Sequence, residues 1–437
     1  MNIYEENQNL IEFLDRTPNS FFAVKNISEI LEEKGFVRLF EGEEFSLKKG
    51  GCYYVTRNDS ALVAFKVPKK KHKGFMMSAC HGDSPALKIK TNAEICFEDK
   101  YTKLNVEKYG GMLCATWFDR PLSVAGRVVV NTKDGLETRL VNVDRDLLII
   151  PNLAIHMNRD ANSGYKYNAQ KDMLPLYGTE EAKGSFADLI AKHANVKAED
   201  ILDTDLFLYN REKGTFIGEK EEFVASSRLD DLQCAYAVLQ GFVRAKQSDN
   251  VSVYCLYDNE EVGSGSKQGA ASTFLKDTLK RINAALGGNE EDLCIALQNS
   301  MMVSADNAHS VHPNYGEKAD PTNRPVMNKG IVIKYSANQK YTTDAVSAGL
   351  FKKILIEAGV PFQTFANHSD IAGGSTLGNI STSQVALNTI DIGLAQMAMH
   401  SAYELAGADD TVYLIMAMEK FYGTSIAGKG DGNYTVK

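Results

Sequence analysis

Val251-Ser-Val-Tyr-Cys-Leu-Tyr-Asp-Asn-Glu-Glu-Val-Gly-Ser264 decides how the chain is to be read. Its first half alternates Val251, Val253 and Cys255 with Ser252 and Tyr254, a period of two with early β-branched residues, which predicts a strand. Its second half sets three carboxylates, Asp258, Glu260 and Glu261, at the end of that strand, ahead of a turn through Gly263 and Gly265. Carboxylates so close together repel one another unless a cation or a shared proton lies between them. Open α/β sheets build their sites at the carboxyl ends of strands, which is where these acids fall. Taken alone, the cluster is better read as a solvated acidic turn; other clusters along the chain reverse that reading.

Toward the N-terminus, residues 61–67 and 75–80 predict two strands, and the second runs into His81-Gly-Asp-Ser-Pro85. Asp83 stands two residues beyond His81, where a carboxylate can hold the second imidazole nitrogen and fix the tautomer of a metal-binding His. The intervening Lys69-Lys-Lys-His-Lys-Gly74 reads as a solvated connection, because a basic patch needs more than one turn. Residues 9–34 predict one or two amphipathic helices broken near Pro18. Closer in, Ser227-Arg-Leu-Asp-Asp-Leu232 leads to a predicted helix over 232–244. Asp230 and Asp231 at its start suit the helix dipole, or one of them is a metal ligand.

Toward the C-terminus, the apolar residues 295–304 end in Ser304-Ala-Asp-Asn-Ala-His309, so Asp306 again follows a strand-like end. Residues 330–335 predict a strand carrying Lys334, a cation that requires either a neighbouring anion or a surface face. Gly373-Gly-Ser-Thr-Leu-Gly378 is a flexible loop through which backbone can approach a ligand, making Gly374 and Ser375 substrate-binding candidates. No Gly-Lys-Ser/Thr ending follows, so it is not a phosphate loop. Residues 389–400 end at His400, and a last helix is predicted over 409–421.

Residues 91–223 have a different texture. Short strand-like runs at 126–131 and 138–150 sit among turns, with one helical patch over 186–193. The expected organisation is therefore a discontinuous α/β domain, 1–90 with 224–437, interrupted by a largely β domain at 91–223. The insert contains Trp117-Phe-Asp-Arg120 and Ala154-Ile-His-Met-Asn-Arg159, most simply core or turn residues; His156 beside Arg159 is also a polar handle for an anionic group.

With 437 residues, 44% hydrophobic and 24% charged, the chain has the composition of a two-domain globular protein. A net charge of −8 argues against nucleic acid or an anionic membrane as partner. Seven scattered cysteines without a Cys-x-x-Cys pair predict reduced thiols in a cytoplasmic protein. Glu5 and Glu6 stand where a signal peptide would need basic residues, and no apolar run reaches transmembrane length.

Five candidate ligands thus lie near strand or helix ends: His81, Asp230, Glu261, Asp306 and His400. Two imidazoles and three carboxylates suit Zn²⁺, Mn²⁺ or Co²⁺ and not Ca²⁺ or Cu⁺. One carboxylate can bridge two ions, leaving each with one His and one further acid. Glu260 is then left over beside Glu261, as a hydrolytic two-metal site requires of its general base.

At this point the motifs resemble a known family. His81-x-Asp83, Asp230 in Arg-Leu-Asp, Asp258-Asn-Glu-Glu-Val-Gly-Ser264, Ser304-Ala-Asp-x-Ala-His309 and Met399-His-Ser401 are similar to those of the aspartyl aminopeptidases, or aminopeptidase I family, of dinuclear zinc exopeptidases. The resemblance extends nearly end to end, through Trp117-Phe-Asp-Arg-Pro121, Ala154-Ile-His156 and Asn338-Gln-Lys-Tyr341. It implies an α/β zinc-exopeptidase-like domain, with a mixed central sheet flanked by helices, and an inserted β-rich dimerisation domain. The implied assembly is a homo-oligomer of dimers, a dodecamer, acting on peptides from which it removes N-terminal Asp or Glu. It implies two divalent ions per chain, zinc foremost and manganese or cobalt as alternatives, with His81 and Asp306 holding one, Glu261 and His400 the other, and Asp230 between them. It further implies Glu260 as base and then acid, Asp83 as the residue orienting His81, and His156 as reaching a neighbour's site. Lys334 is the physical candidate for reading an acidic side chain. Asp231 departs from the family, where Asn is common, and so does His368, where Arg often precedes the Ser-Asp pair. Two other readings fit the same residues: a metal-dependent amidohydrolase or deacylase of small acyl amino acids, and a non-catalytic oligomeric scaffold.

Overall fold

The computed structural model describes residues 1–371 and 373–437. Its centre is a nine-stranded mixed sheet. Across it, in spatial order, lie Val37–Leu39, Cys52–Arg57, Ala61–Lys66, Val251–Tyr257, Phe75–His81, Met301–Ala305, Asn388–Gly393, Ile331–Lys334 and Phe362–Phe365. The middle four, from Val251–Tyr257 to Asn388–Gly393, are parallel. Parallel strands need both faces covered, and every residue of Phe75–His81 and Val251–Tyr257 is buried. The alternation seen in the sequence sorts side chains between two cores. Tyr254 and Leu256 pack with the helices Ile3–Asp15, Ser20–Glu33, Leu229–Arg244, Ala345–Ala358 and Ala408–Tyr422. Val251, Val253, Cys255 and Tyr257 face the other way, against Phe274–Ala285 and Leu377–Thr382.

A second sheet is built from Gly135–Asn142, Leu122–Thr132, Ile201–Asn210, Ala86–Phe97, Tyr101–Tyr109 and Leu176–Thr179, all antiparallel. It has its own core, including Leu87, Val124, Val128 and Leu206, roofed by the helix Phe186–Ala194. The strand Ala86–Phe97 runs across residue 91, where the insert was expected to begin, so the second sheet opens a few residues earlier. A smaller five-stranded sheet lies beyond its other end, where Phe223–Ser226 pairs with Glu404–Gly407. Within the described residues, no helix is long and apolar enough to cross a membrane.

Several expected elements differ in detail. The apolar residues 295–304 belong to two elements, the helix Glu290–Gln298 and the strand Met301–Ala305. The strand-like run 138–150 is a strand only as far as Asn142; beyond it Asp144 and Asp146 pair with Arg211, and Leu148 and Ile149 make isolated bridges.

Candidate metal centre

The four parallel strands deliver their ends to one place. Tyr257 pairs with His81 in register, so the acidic turn after one strand lies beside the histidine that ends the next. Asp306 follows Met301–Ala305 directly. Asp230 stands at the mouth of Leu229–Arg244, where it and Asp231 have non-helical backbone angles and the regular helix begins at Leu232. His400 is carried on the turn between Ala395–Met397 and Glu404–Gly407.

Three sets of donor atoms lie within 4.8 Å of one another: His81 with Asp230 and Asp306, Asp230 with Glu261 and His400, and His81 with Glu260 and Glu261. Asp230 belongs to the first two sets. Its Oδ1 lies 3.6 Å from His81 Nε2, and its Oδ2 lies 3.3 Å from His400 Nε2. His400 Nε2 is also 3.3 Å from Glu261 Oε2. Both imidazoles turn their other nitrogen to a fixed acceptor: His81 Nδ1 to the Asp83 carbonyl oxygen at 3.0 Å, and His400 Nδ1 to the Gly111 carbonyl oxygen at 2.6 Å. That holds Nε2 toward the cluster.

Asp83 does more than face His81. Its carboxylate lies 3.4 Å from His81 Nδ1 and accepts from the Glu260 and Glu261 amides at 3.1 and 3.2 Å. The group therefore ties the histidine strand to the acidic turn. Asp231 is fully buried and accepts from the His81 amide at 3.2 Å.

The electrostatics fit a cation. Burial pushes Glu260 up to about 7 against the opposing pull of His81, and Asp306 up to about 6 against that of Lys334, and burial drives Glu261 well above the carboxylate range. Burial also works to raise Asp230, but the imidazoles of His400 and His81 beside it outweigh that and hold the group low. Among the described residues, Asp230 Oδ1, Asp231 Oδ1 and Glu261 Oε1 are buried without a hydrogen-bond partner. Buried carboxylate oxygens without donors are costly unless they coordinate. A mixed set of imidazoles and carboxylates is one that zinc accepts.

The remaining candidates are distributed. Lys334 is no surface lysine: it is 3% exposed, donates to Asn307 O at 2.7 Å and lies 3.8 Å from Asp306 Oδ1. Gly374 and Ser375 are exposed on their loop, and Ala372 before them lies outside the described residues. His156 is exposed and belongs to none of the three donor sets. His368 accepts from the Asp370 amide at 3.3 Å.

Sequence reasoning missed Glu404. It is buried, accepts from the Asp230 amide at 3.0 Å and from the His400 amide at 2.7 Å, and is pushed up to about 8 by burial and then by Asp230. It also missed Asp391, which gathers Thr342 and Thr376 and so anchors the glycine-rich loop. Neither stands in a local pattern that marks it.

Residues 13–422 match the family described as aminopeptidase I zinc metalloprotease (M18). The chain belongs to the M18 aminopeptidases. This M18 enzyme is 48% identical over 421 residues to the "Probable M18 family aminopeptidase 2" of Clostridium acetobutylicum, covering 94% of this chain and 97% of the relative. A relative of the same description from Pseudomonas aeruginosa is 41% identical over 431 residues, covering 96% and 99%. Among solved structures, yeast aminopeptidase 1 superposes with a TM-score of 0.85 at 28% identity, over 96% of this chain and 97% of that one. The Ape4 chain solved in complex with Nbr1 gives 0.93 at 36% identity, over 96% and 86%. The M18 chain is thus a zinc-dependent aminopeptidase, a hydrolase, with a mixed α/β fold.

Proposed function

We propose that the chain holds two divalent ions and uses Glu260 to remove N-terminal residues, preferentially acidic ones, from peptides. The observation that carries this reading is the division of Asp230: one carboxylate oxygen toward His81, the other toward His400. On that basis His81 and Asp306 would hold one ion, Glu261 and His400 the other, with Asp230 shared and zinc the first choice. When bound, the ions would supply Lewis acidity, polarising the scissile carbonyl and lowering the pKa of water.

The chain's own residues would do the rest. Glu260 is fixed through its amide to Asp83, and its carboxylate takes the proton of the attacking water. The same carboxylate returns the proton to the leaving amine. Burial of the surrounding acids keeps bulk water from screening the charge that develops on the carbonyl oxygen. Lys334, a buried cation at the end of its strand, is the group assigned to an acidic substrate side chain. Gly374 and Ser375 would line the approach to the site.

Assembly is part of the proposal. A relative of this fold, solved as the S. cerevisiae mApe1 dodecamer, has a TM-score of 0.83 at 28% identity over 95% of each chain. The inserted sheet would pair two chains as the building block of such a dodecamer, with His156 reaching its neighbour. Seven free thiols suit the reducing cytoplasm.

Glu260→Gln tests the reading. It removes the base and no ligand, so hydrolysis of aminoacyl chromogenic substrates should vanish while metal content stays near wild type. Asp230→Ala should lose both ions. Retention of most activity by Glu260→Gln would place the base elsewhere.

A further inference from the structure

Three consecutive residues at the end of one strand of the inserted sheet reach the candidate metal centre: Tyr109 touches Asp83, Gly110 touches Glu261 and Gly111 touches His400. Tyr109 ends the strand Tyr101–Tyr109, and its hydroxyl donates to Asp83 Oδ2 at 2.6 Å. The same hydroxyl accepts from Asn259 Nδ2 at 2.9 Å. Asn259 is itself oriented, since its Oδ1 accepts from Ser266 Oγ and Gln268 Nε2, each at 2.7 Å. With an amide aimed at its oxygen, the phenol's single proton is committed to Asp83. The ring is set edge-on against Phe207 at 5.6 Å. Asp83 passes this restraint to His81 and to the amides of Glu260 and Glu261.

Gly110 comes next, at φ +74, where a Cβ would stand 3.1 Å from Glu261 Cβ. Its backbone lies directly against that ligand because it has no side chain. The carbonyl of Gly111 then receives His400 Nδ1. Two further bonds lock the contact: the Leu113 amide donates to His400 O at 3.0 Å, and the Ala402 amide donates to Thr116 Oγ1 at 2.9 Å.

We propose that Tyr109-Gly110-Gly111 is a positioning clamp through which the inserted domain orients His81, Glu261 and His400 within its own subunit. The Tyr109 hydroxyl is its chemically addressable member. Partners that orient metal ligands are worth a factor of roughly ten to a hundred in affinity or activity. The proposal rests on the metal reading above, and gives the insert a role distinct from pairing chains.

The test is zinc titration of metal-free protein against a chromogenic chelator, wild type beside Tyr109→Phe. The phenyl ring keeps the contact with Phe207, so the metal-free melting temperature and the oligomer size should be unchanged. The zinc dissociation constant should rise about ten- to a hundredfold, and kcat at saturating zinc should fall with KM unchanged. The double variant Ser266→Ala, Gln268→Ala leaves Tyr109 in place and removes the donors that orient Asn259. It should shift zinc affinity in the same direction by a smaller factor, and it carries the test if Tyr109→Phe lowers the metal-free melting temperature. Tyr109→Phe binding zinc within about twofold of wild type would overturn the clamp alone. Wild-type protein that took up no zinc would overturn the metal reading and the clamp with it.

Discussion

Lys334 presents three protons, and the protein uses two of them, one on Asn307 O and one toward Asp306. If Lys334 reads the substrate as proposed, the third would meet its carboxylate, in surroundings where a charge-assisted bond is worth roughly 1.5–3 kcal/mol. Lys334→Met should therefore lower kcat/KM on an aspartyl substrate about ten- to a hundredfold more than on a leucyl or alanyl one. Both substrates will lose something, because Asp306 loses its counter-ion; the ratio between them is the diagnostic. Equal losses would leave Lys334 as the partner of Asp306 alone. At this scale the sequence is informative where chemistry follows directly on a strand. His81, Asp306 and the Asp258-Asn-Glu-Glu261 turn each come straight after an apolar run, so type and place are read together. Glu404, Tyr109 and Gly111 are illegible for a physical reason: they act by accepting or donating across distances in the chain that no local period encodes.

Elements differ in how openly they declare themselves. The strand Val251–Tyr257 does so twice, by period and by β-branched content, and the helix Leu229–Arg244 by its apolar stripe. The helix Glu290–Gln298 was hidden because its apolar residues merge with those of the next strand, and short apolar runs do not distinguish helix from strand. Asp205, on the strand Ile201–Asn210, shows how neighbouring strands are held together. It accepts from Lys88 Nζ at 2.8 Å and from Arg127 Nε at 3.0 Å, and Arg127 also donates to Asn58 O at 2.7 Å in the main body. Burial works to raise the Asp205 carboxyl, but the two cations outweigh it and hold it below its ordinary 3.8. A carboxyl held low stabilises the fold fully above its unfolded value, and that stability is lost as pH falls through the folded value. Asp205→Asn should therefore cost about 1 kcal/mol near neutrality. In urea unfolding, the gap between the two proteins should close as pH drops below about 3.8. A gap of the same size at both pH values would mean that the charge contributes nothing.

In the whole molecule, the stretch around His156 lies on the surface of the single subunit. Leu153, Ile155 and Met157 are exposed at 55, 49 and 69%, and apolar side chains grouped in this way mark a surface that another chain covers. If His156 donates to the carbonyl oxygen of a neighbour's substrate, its loss should cost about 3 kcal/mol of transition-state stabilisation. His156→Ala should then cut turnover while leaving metal content and assembly size unchanged. Light scattering that found a fully active monomer would rule this out. The insert's clamp on the metal ligands has a different consequence, for the order of events during synthesis. His81 is made early, the Tyr109-Gly110-Gly111 turn soon after, and His400 only after the strand Asn388–Gly393 has left the ribosome. With the proposed ligands gathered from so far apart, the peptidase would stay chemically silent while it is being made, and would not act on its own unfinished chain or its neighbours' before it has folded.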